Sequence, residues 1–153
     1  MTKIKFLFVG KTKDSWISEW EEKYLKYLKK YSKTSVEIVK EESKGEVEKI
    51  KKTESERILE KIWDRDFIFL LDVFWKEFSS EDFAGQFEKI SLTWKNFVFV
   101  VAWAFWPSEE LKKRADLRLS FSKLTFTHQF VRPLLFEQIF RTFSILKWTD
   151  YHK

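Results

Sequence analysis

Two unbroken apolar runs, Phe67-Ile68-Phe69-Leu70-Leu71 and Phe97-Val98-Phe99-Val100-Val101, restrict what this chain can become. A run of five apolar residues bounded by polar ones is short for a helix. It is the mark of a strand covered on both faces, as in the interior of a parallel sheet. Parallel strands need long crossovers between them, and the rest of the chain supplies these as helix-period segments.

Lys3 to Gly10 reads as a buried strand ending at glycine, and Ser35 to Val39 as a short one. Between them, Asp14-Ser15 can cap a helix on which Ile17, Trp20, Tyr24, Tyr27 (or Leu28) and Tyr31 recur at three- and four-residue steps. After Gly45 a second helix puts Val47, Ile50, Ile58, Leu59 and Ile62 on one side, with a solvated Glu/Lys face opposite. Ser79 to Asp82 carries a helix-start signal, and Phe83, Phe87 and Ile90 give that helix an inward face. Pro107 is placed as the first residue of a short helix running to Arg114, Leu117 to Ser120 as a last strand, and Phe130 to Leu146 as a helix apolar almost all round. Strands alternating with helices predict an α/β fold with a mostly parallel sheet and helices on both faces, in a single domain spanning 1–153.

Composition narrows the function. With no Cys and only two His, disulfides, thiolate zinc and a structural metal site are not expected. The amino-terminal apolar stretch, Phe6 to Val9 with Ile4, is too short for a signal peptide or a membrane span, so a cytoplasmic protein with no membrane partner is expected. A net charge of +5 agrees with a nucleic-acid partner, but a Lys-rich solvated surface accounts for it equally well.

In parallel sheets, ligands bind beyond the carboxyl ends of the strands. Three loops qualify: Asp72–Phe78, Ala102–Trp106 and Ser120–His128. The last leads through His128 and Arg132 into the apolar helix, and titratable groups at such an entrance are where chemistry is sought.

The motifs at these loops form a combination. They are Leu71-Asp72-x-x-x-Lys76-x-Phe78-Ser79-Ser80-Glu81, the run Phe97 to Val101, Ser120-Phe121-Ser122-Lys123-Leu124-Thr125-Phe126-x-His128-Gln129-x-Val131-Arg132, Glu137-Gln138-x-x-Arg141, and the terminal Tyr151-His152. Together they resemble the ribosomal RNA large subunit methyltransferase H family over essentially the whole chain. The resemblance implies methylation of N3 of a pseudouridine in 23S rRNA with S-adenosyl-L-methionine as cofactor. It implies the SPOUT architecture, with the carboxyl-terminal segment threaded as a trefoil knot. It also implies a homodimer acting on the ribosome, each active site completed by the partner's tail. Carried over position by position, the cofactor contacts fall on Leu71, Ala102, Trp103, Trp106 and the run Phe121, Ser122, Lys123, Leu124, Thr125 and Phe126. His128, Tyr151 and His152 become candidates to take the imide proton, and Arg132 to hold a phosphate or the cofactor carboxylate. Arg141, four residues after Glu137, reads as an intrahelical ion pair. Lys11, Lys13, Lys123 and Lys153 are candidates to meet RNA.

The chain departs from that family in a patterned way. Thr127 stands where relatives often have Pro, and Pro133, where an apolar residue is usual, places the helix start near Arg132. There are eight Trp and only three Gly, against about ten Gly for ordinary usage. Trp75, Trp103, Trp106, Trp20, Trp94 and Trp148 fall where relatives carry Gly, with Trp63 a further case and Trp16 an exception. Some bacteria decode UGA as glycine, and codons so decoded, written as Trp, account for the pattern. Taken as written, Trp in these loops is expected to fill the cofactor cleft and weaken binding. The alternative is a paralogue that binds RNA or ribosomes without catalysis. A nucleotide-binding oxidoreductase is disfavoured, because Gly10-Lys11-Thr12-Lys13 stands where a Gly-x-Gly-x-x-Gly loop would be.

Overall fold

The computed structural model describes residues 1–102 and 107–152. Five strands form one sheet: β1 (Lys3–Val9), β2 (Lys33–Val39), β3 (Asp66–Leu71), β4 (Asn96–Val101) and β5 (Leu117–Leu119). Their order is β2-β1-β4-β3-β5, and every strand pair is parallel. The two apolar runs are interior strands, β4 between β1 and β3 and β3 between β4 and β5, as their composition requires.

The period of two sorts each strand's side chains between two cores. Ile4, Phe6, Phe8, Phe69, Phe97 and Phe99 point to one face. There they meet α1 (Ser15–Leu28), α3 (Ser80–Thr93) and α5 (Val131–Leu146) through Leu28, Phe83, Phe87, Leu135, Phe136 and Ile139. Phe69 stacks on Phe99 with centroids 4.4 Å apart, and Phe136 meets Phe6 edge-on at 4.5 Å. Leu7, Val9, Ile68, Leu70, Val98 and Val100 form the other face, under Ile58 of α2 (Val47–Leu59) and Leu111 of α4 (Glu109–Arg114). Helix α5 lies between α1 and α3 as well as on the sheet, so it needs apolar residues on most of its circumference.

Several local expectations change. Ser108, not Pro107, begins the fourth helix: its hydroxyl accepts from the Leu111 amide at 3.2 Å, and Pro107 precedes the cap. Ser79 caps α3 in the same way, accepting from Asp82 at 3.0 Å, whereas Asp14 sits at the α1 cap position without a side-chain bond. In α2 the expected solvated face contains Glu54, which is buried because it accepts the Glu42 amide at 3.0 Å, while Val47 is exposed. On α1, Trp20 does not turn inward; it is exposed, edge-on against Trp16 at 6.2 Å. Pro133 is the third residue of α5, where its missing amide proton costs nothing.

The end of α5 carries a Schellman arrangement. The Trp148 amide donates to Ile145 at 3.2 Å and the Thr149 amide to Ser144 at 3.0 Å. Such an end needs a left-handed residue, and Trp148 takes that place with φ of 53°. Trp94, at the end of α3, is extended at φ −105° and packs on Phe67, a conformation any residue adopts.

Candidate active site

The carboxyl ends of β3, β4 and β5 open into a cleft of about 620 Å³. Its walls include Leu71, Ala102, Phe121, Ser122, Leu124, Thr125 and Phe126, all expected cofactor contacts, together with His128. Lys123 belongs to the same segment but points to solvent off the wall. Trp103 and Trp106 lie outside the described residues. Asp72, Ser120, Thr127 and Val131 also line the cleft, although the sequence reading gave them no site role. Their signal was the position of their loops at the strand ends.

Serine and threonine hydroxyls shape the segment after β5. Ser120 Oγ donates to the Ser122 carbonyl at 2.8 Å, and Ser122 Oγ accepts the Leu124 amide at 3.0 Å. These local bonds turn the chain at each step, so that backbone polar groups rather than a regular ladder face the cleft. Thr127 Oγ1 then accepts the Phe130 amide at 3.2 Å and starts the turn into α5.

The facing loop is anchored by a buried carboxylate. Asp72 Oδ2 accepts from Arg118 Nη2 at 2.7 Å and Nε at 3.1 Å, Oδ1 accepts the Phe74 amide at 3.1 Å, and the Asp72 amide donates to Leu119 at 2.8 Å. Trp75 lies over the Arg118 guanidinium at 3.7 Å and is half exposed. The expectation that it fills the cleft is therefore corrected: its ring stacks on the cation at the outer side of the loop.

Arg132 also departs from expectation. It has no exposed surface, donates from Nη2 to the Val9 carbonyl at 2.7 Å and from Nη1 to Thr12 Oγ1 at 3.1 Å, and lies 4.8 Å from the Phe8 ring. Thr12 in turn donates to Glu21, whose carboxyl burial pushes up. A guanidinium held in this way ties the end of β1 to α5 through two of its nitrogens, while its buried Nε has no partner among the described residues. Gln129 reinforces the tie, accepting the Lys13 amide at 2.9 Å and donating to the Lys11 carbonyl at 3.2 Å. His128, one residue earlier, is left on the cleft wall. Burial, then the charge of Arg132 and to a smaller degree Lys13, lower its pKa to about 4 against the pull of Glu41. It is a neutral imidazole at physiological pH.

Tyr151 and His152 are not brought to this cleft within one chain. They dock midway along α5: Tyr151 edge-on to Phe140 at 4.6 Å, its hydroxyl 3.1 Å from that of Tyr24 and donating to Glu137 at 3.0 Å. Phe140 is nine residues beyond Val131, about 13 Å along the helix. Desolvation and these hydrogen bonds raise Tyr151 above the usual phenol range, so it stays protonated. Arg141 pairs with Glu137 as the four-residue spacing predicts, and its Nη1 donates to His152 Nδ1 at 3.1 Å. Because arginine only donates, His152 carries its proton on Nε2 and gives it to Glu81 Oε1 at 2.7 Å. Both imidazole nitrogens are thus occupied. Among the described residues no group of three His, Cys, Asp or Glu could hold a metal, and no described helix is long and apolar enough to cross a membrane.

A cleft at the strand ends, walled by an irregular polar segment that leads into a helix, agrees with the motif combination. The profile of the family described as "Predicted SPOUT methyltransferase" matches residues 2–152. The chain belongs to the SPOUT methyltransferase family. Its similarity to individual members is nearly full length. It is 36% identical to the ribosomal RNA large subunit methyltransferase H of Enterococcus faecalis, over 99% of each chain. It is 37% identical to that of Lactiplantibacillus plantarum and 39% identical to that of Caldicellulosiruptor bescii, each over 98% of this chain and 99% of the relative. As in SPOUT methyltransferases generally, the expected methyl donor is S-adenosyl-L-methionine.

Proposed function

We propose that this protein uses S-adenosyl-L-methionine to methylate N3 of a pseudouridine in 23S rRNA, as a cytoplasmic homodimer acting on the ribosome. The observation that carries the reading is the coincidence of the cleft walls with the residues matched to the family's cofactor contacts, Leu71, Ala102 and Phe121 to Phe126 except Lys123. The cleft's volume is within the ordinary range for a ligand of this size, and its chemistry fits. Leu71, Val101 and Phe121 offer apolar surface for an adenine, and Ser120 and Ser122 hold the adjoining backbone in a turned path along the wall.

When bound, the cofactor supplies an electrophilic methyl group on a sulfonium. The chain's task is alignment and proton management. Two anchors hold the opposing walls at fixed separation, Asp72–Arg118 on one side and Arg132–Val9 on the other. His128 is neutral and on the wall, so its ring can accept a hydrogen bond from the acceptor's imide and orient it while the proton leaves to solvent. A protonated His128 beside Arg132 is disfavoured, which keeps the group in its accepting form.

The dimer and knot readings rest on the family resemblance, with one supporting feature each. Exposed Trp16, Trp20 and Phe126 flank a half-buried Phe130 in one aromatic surface, Trp16 lying 5.9 Å from Phe130 and Phe126 6.0 Å from Phe130. Such a surface suits an interface between copies. It borders the cleft, so a partner's tail arriving there would add Tyr151 and His152 to the site. The irregular path of 120–130 is the segment a knot would use. Lys11, Lys13 and Lys123 are exposed around the mouth and are assigned to RNA, while Lys153 lies outside the described residues.

The test is mass spectrometry of 23S rRNA from a strain lacking the gene, with and without the gene restored. One methyl group on a pseudouridine should vanish and return. Unchanged rRNA in the deletion strain would reject the assignment.

A further inference from the structure

The amino end of the sheet carries a second concave surface, remote from the cleft. On the face covered by α2 and α4, those helices reach only the carboxyl half of the strands: Leu7, Val9, Leu70 and Val100 are covered. The first turns of the strands are left bare. There Lys3, Lys33 and Asn96 stand side by side, Lys3 being in register with both of the others. Lys5 is two residues further along the same face. The segment before β3 closes the side with Trp63 and Arg65, giving a groove of about 390 Å³.

The charges are unequal. Lys5 is used internally, donating to the Lys61 carbonyl at 2.5 Å and lying 4.0 Å from Asp66. Asp66 is buried and accepts the Trp63 amide at 3.0 Å, which fixes that turn. Lys61 is held by Glu37 at 2.9 Å. Lys3, Lys33 and Arg65 are exposed and form no ion pair with any described residue; the nearest acid in sequence, Asp64, is exposed beside Arg65. Arg65 leans over the Trp63 ring at 5.8 Å, and that ring is 63% exposed. Three unpaired cations on a bare sheet edge with an exposed indole have no folding role. Lysine on strands repels its neighbours across the ladder, so the row Lys3–Lys33 costs stability.

We infer that this groove is a second RNA-contact surface, in which Lys3, Lys33 and Arg65 neutralise backbone phosphates and Trp63 offers a face to a base. The inference rests on the rRNA-methyltransferase reading. Phosphates reward such a row sequence-independently, and an indole accepts any base. The strands separate this groove from the cleft by about 20 Å. A single nucleotide cannot touch both, whereas a folded rRNA segment can. The surface would therefore set orientation on a large substrate while the cleft holds the target nucleotide.

The test compares the wild-type protein, the triple variant Lys3→Ser/Lys33→Ser/Arg65→Ser, and a control triple, Lys52→Ser/Lys89→Ser/Lys113→Ser, which removes the same charge from exposed helix positions. Binding to unmethylated large ribosomal subunits and to protein-free 23S rRNA is measured from low to moderate salt. Cofactor affinity by calorimetry serves as the check on the fold and the cleft. Loss of three phosphate contacts should flatten the slope of log K against log salt by about two to three. The control triple should flatten it far less, and cofactor affinity should be unchanged in both. Wild-type methylation with equal slopes for the two triples would overturn the inference and leave the enzyme reading intact. Weakened binding to subunits with no change on naked rRNA would overturn it in favour of an acidic protein partner. Absence of both rRNA binding and methylation in the wild type would overturn the reading it rests on.

Discussion

Arg118 places two nitrogens on one oxygen of Asp72, Nη2 at 2.7 Å and Nε at 3.1 Å, and so joins the end of β3 to β5 beneath the cleft. The carboxylate side chain is 1% exposed and the guanidinium 20%, so the two partners face different fates when the other is removed. Arg118→Ala strands a buried charge and is expected to cost about 3 kcal/mol. Asp72→Ala leaves an arginine that can turn outward, and is expected to cost about 1–2 kcal/mol. Urea unfolding of both variants checks the order. Equal losses would mean the pair is not anchored as described.

His128 links the cleft to pH. Its folded pKa, about 4, lies below the ordinary histidine value. The unfolded chain therefore binds the extra proton first, and the stability contributed by neutral His128 is fully present above about pH 6.5. It is lost as pH falls through the window from there toward 4. A ring-proton NMR titration should give a midpoint well below 6. The acid limb of methyl transfer should show no inflection from this residue near pH 6.5. His128→Ala should slow transfer by about 10²-fold or more if the ring manages the proton, with cofactor affinity less affected.

The frame was legible because its signals are local. Phe67–Leu71 and Phe97–Val101 declare interior strands by composition alone, and the Ser120–His128 loop is found by knowing where parallel sheets bind ligands. What could not be read depends on pairing across the chain. Nothing near Glu54 announces that the Glu42 amide needs it, so a residue assigned to solvent is buried. Arg132 is indistinguishable in sequence from a substrate-gripping arginine until Val9 and Thr12, more than a hundred positions away, are seen to take its donors. His152 is a candidate base by identity, and no local signal announces that within one chain Glu81 and Arg141 engage its two nitrogens.

Trp148 and Trp94 separate two kinds of tryptophan among those expected to stand in place of glycine. Trp148 is left-handed at φ 53°, with its side chain 94% exposed and nothing gained from packing. Trp148→Gly should stabilise the fold by about 1 kcal/mol, raising Tm by roughly 2–4 °C. Trp94 is extended and packs edge-on against Phe67 at 5.7 Å, so Trp94→Gly should instead cost roughly 2–3 kcal/mol. Thermal melts of the two variants should move in opposite directions. The codon at 148 is the accompanying genetic test: UGA there, with UGG at Trp16, is expected if glycine is what the native chain carries.

The tail of this chain is docked midway along its own α5, on Glu137 and Phe140, and on Glu81 of α3, while His128 sits on the cleft wall just before α5. If Tyr151 and His152 act, they act on another copy's cleft. A His128→Ala chain and a Tyr151→Phe/His152→Ala chain should each be nearly inactive alone. Mixed as a symmetric dimer, half the assemblies are hybrids, and each hybrid has one site with an intact His128 facing an intact tail. Activity should recover to about a quarter of the wild-type value, with cofactor affinity of the intact sites unchanged. Recovery measured after unfolding and refolding the two chains together, and absent when they are merely combined cold, would show that exchange of subunits is required. No recovery in the refolded mixture would place the tail's contribution within its own chain or remove it from catalysis.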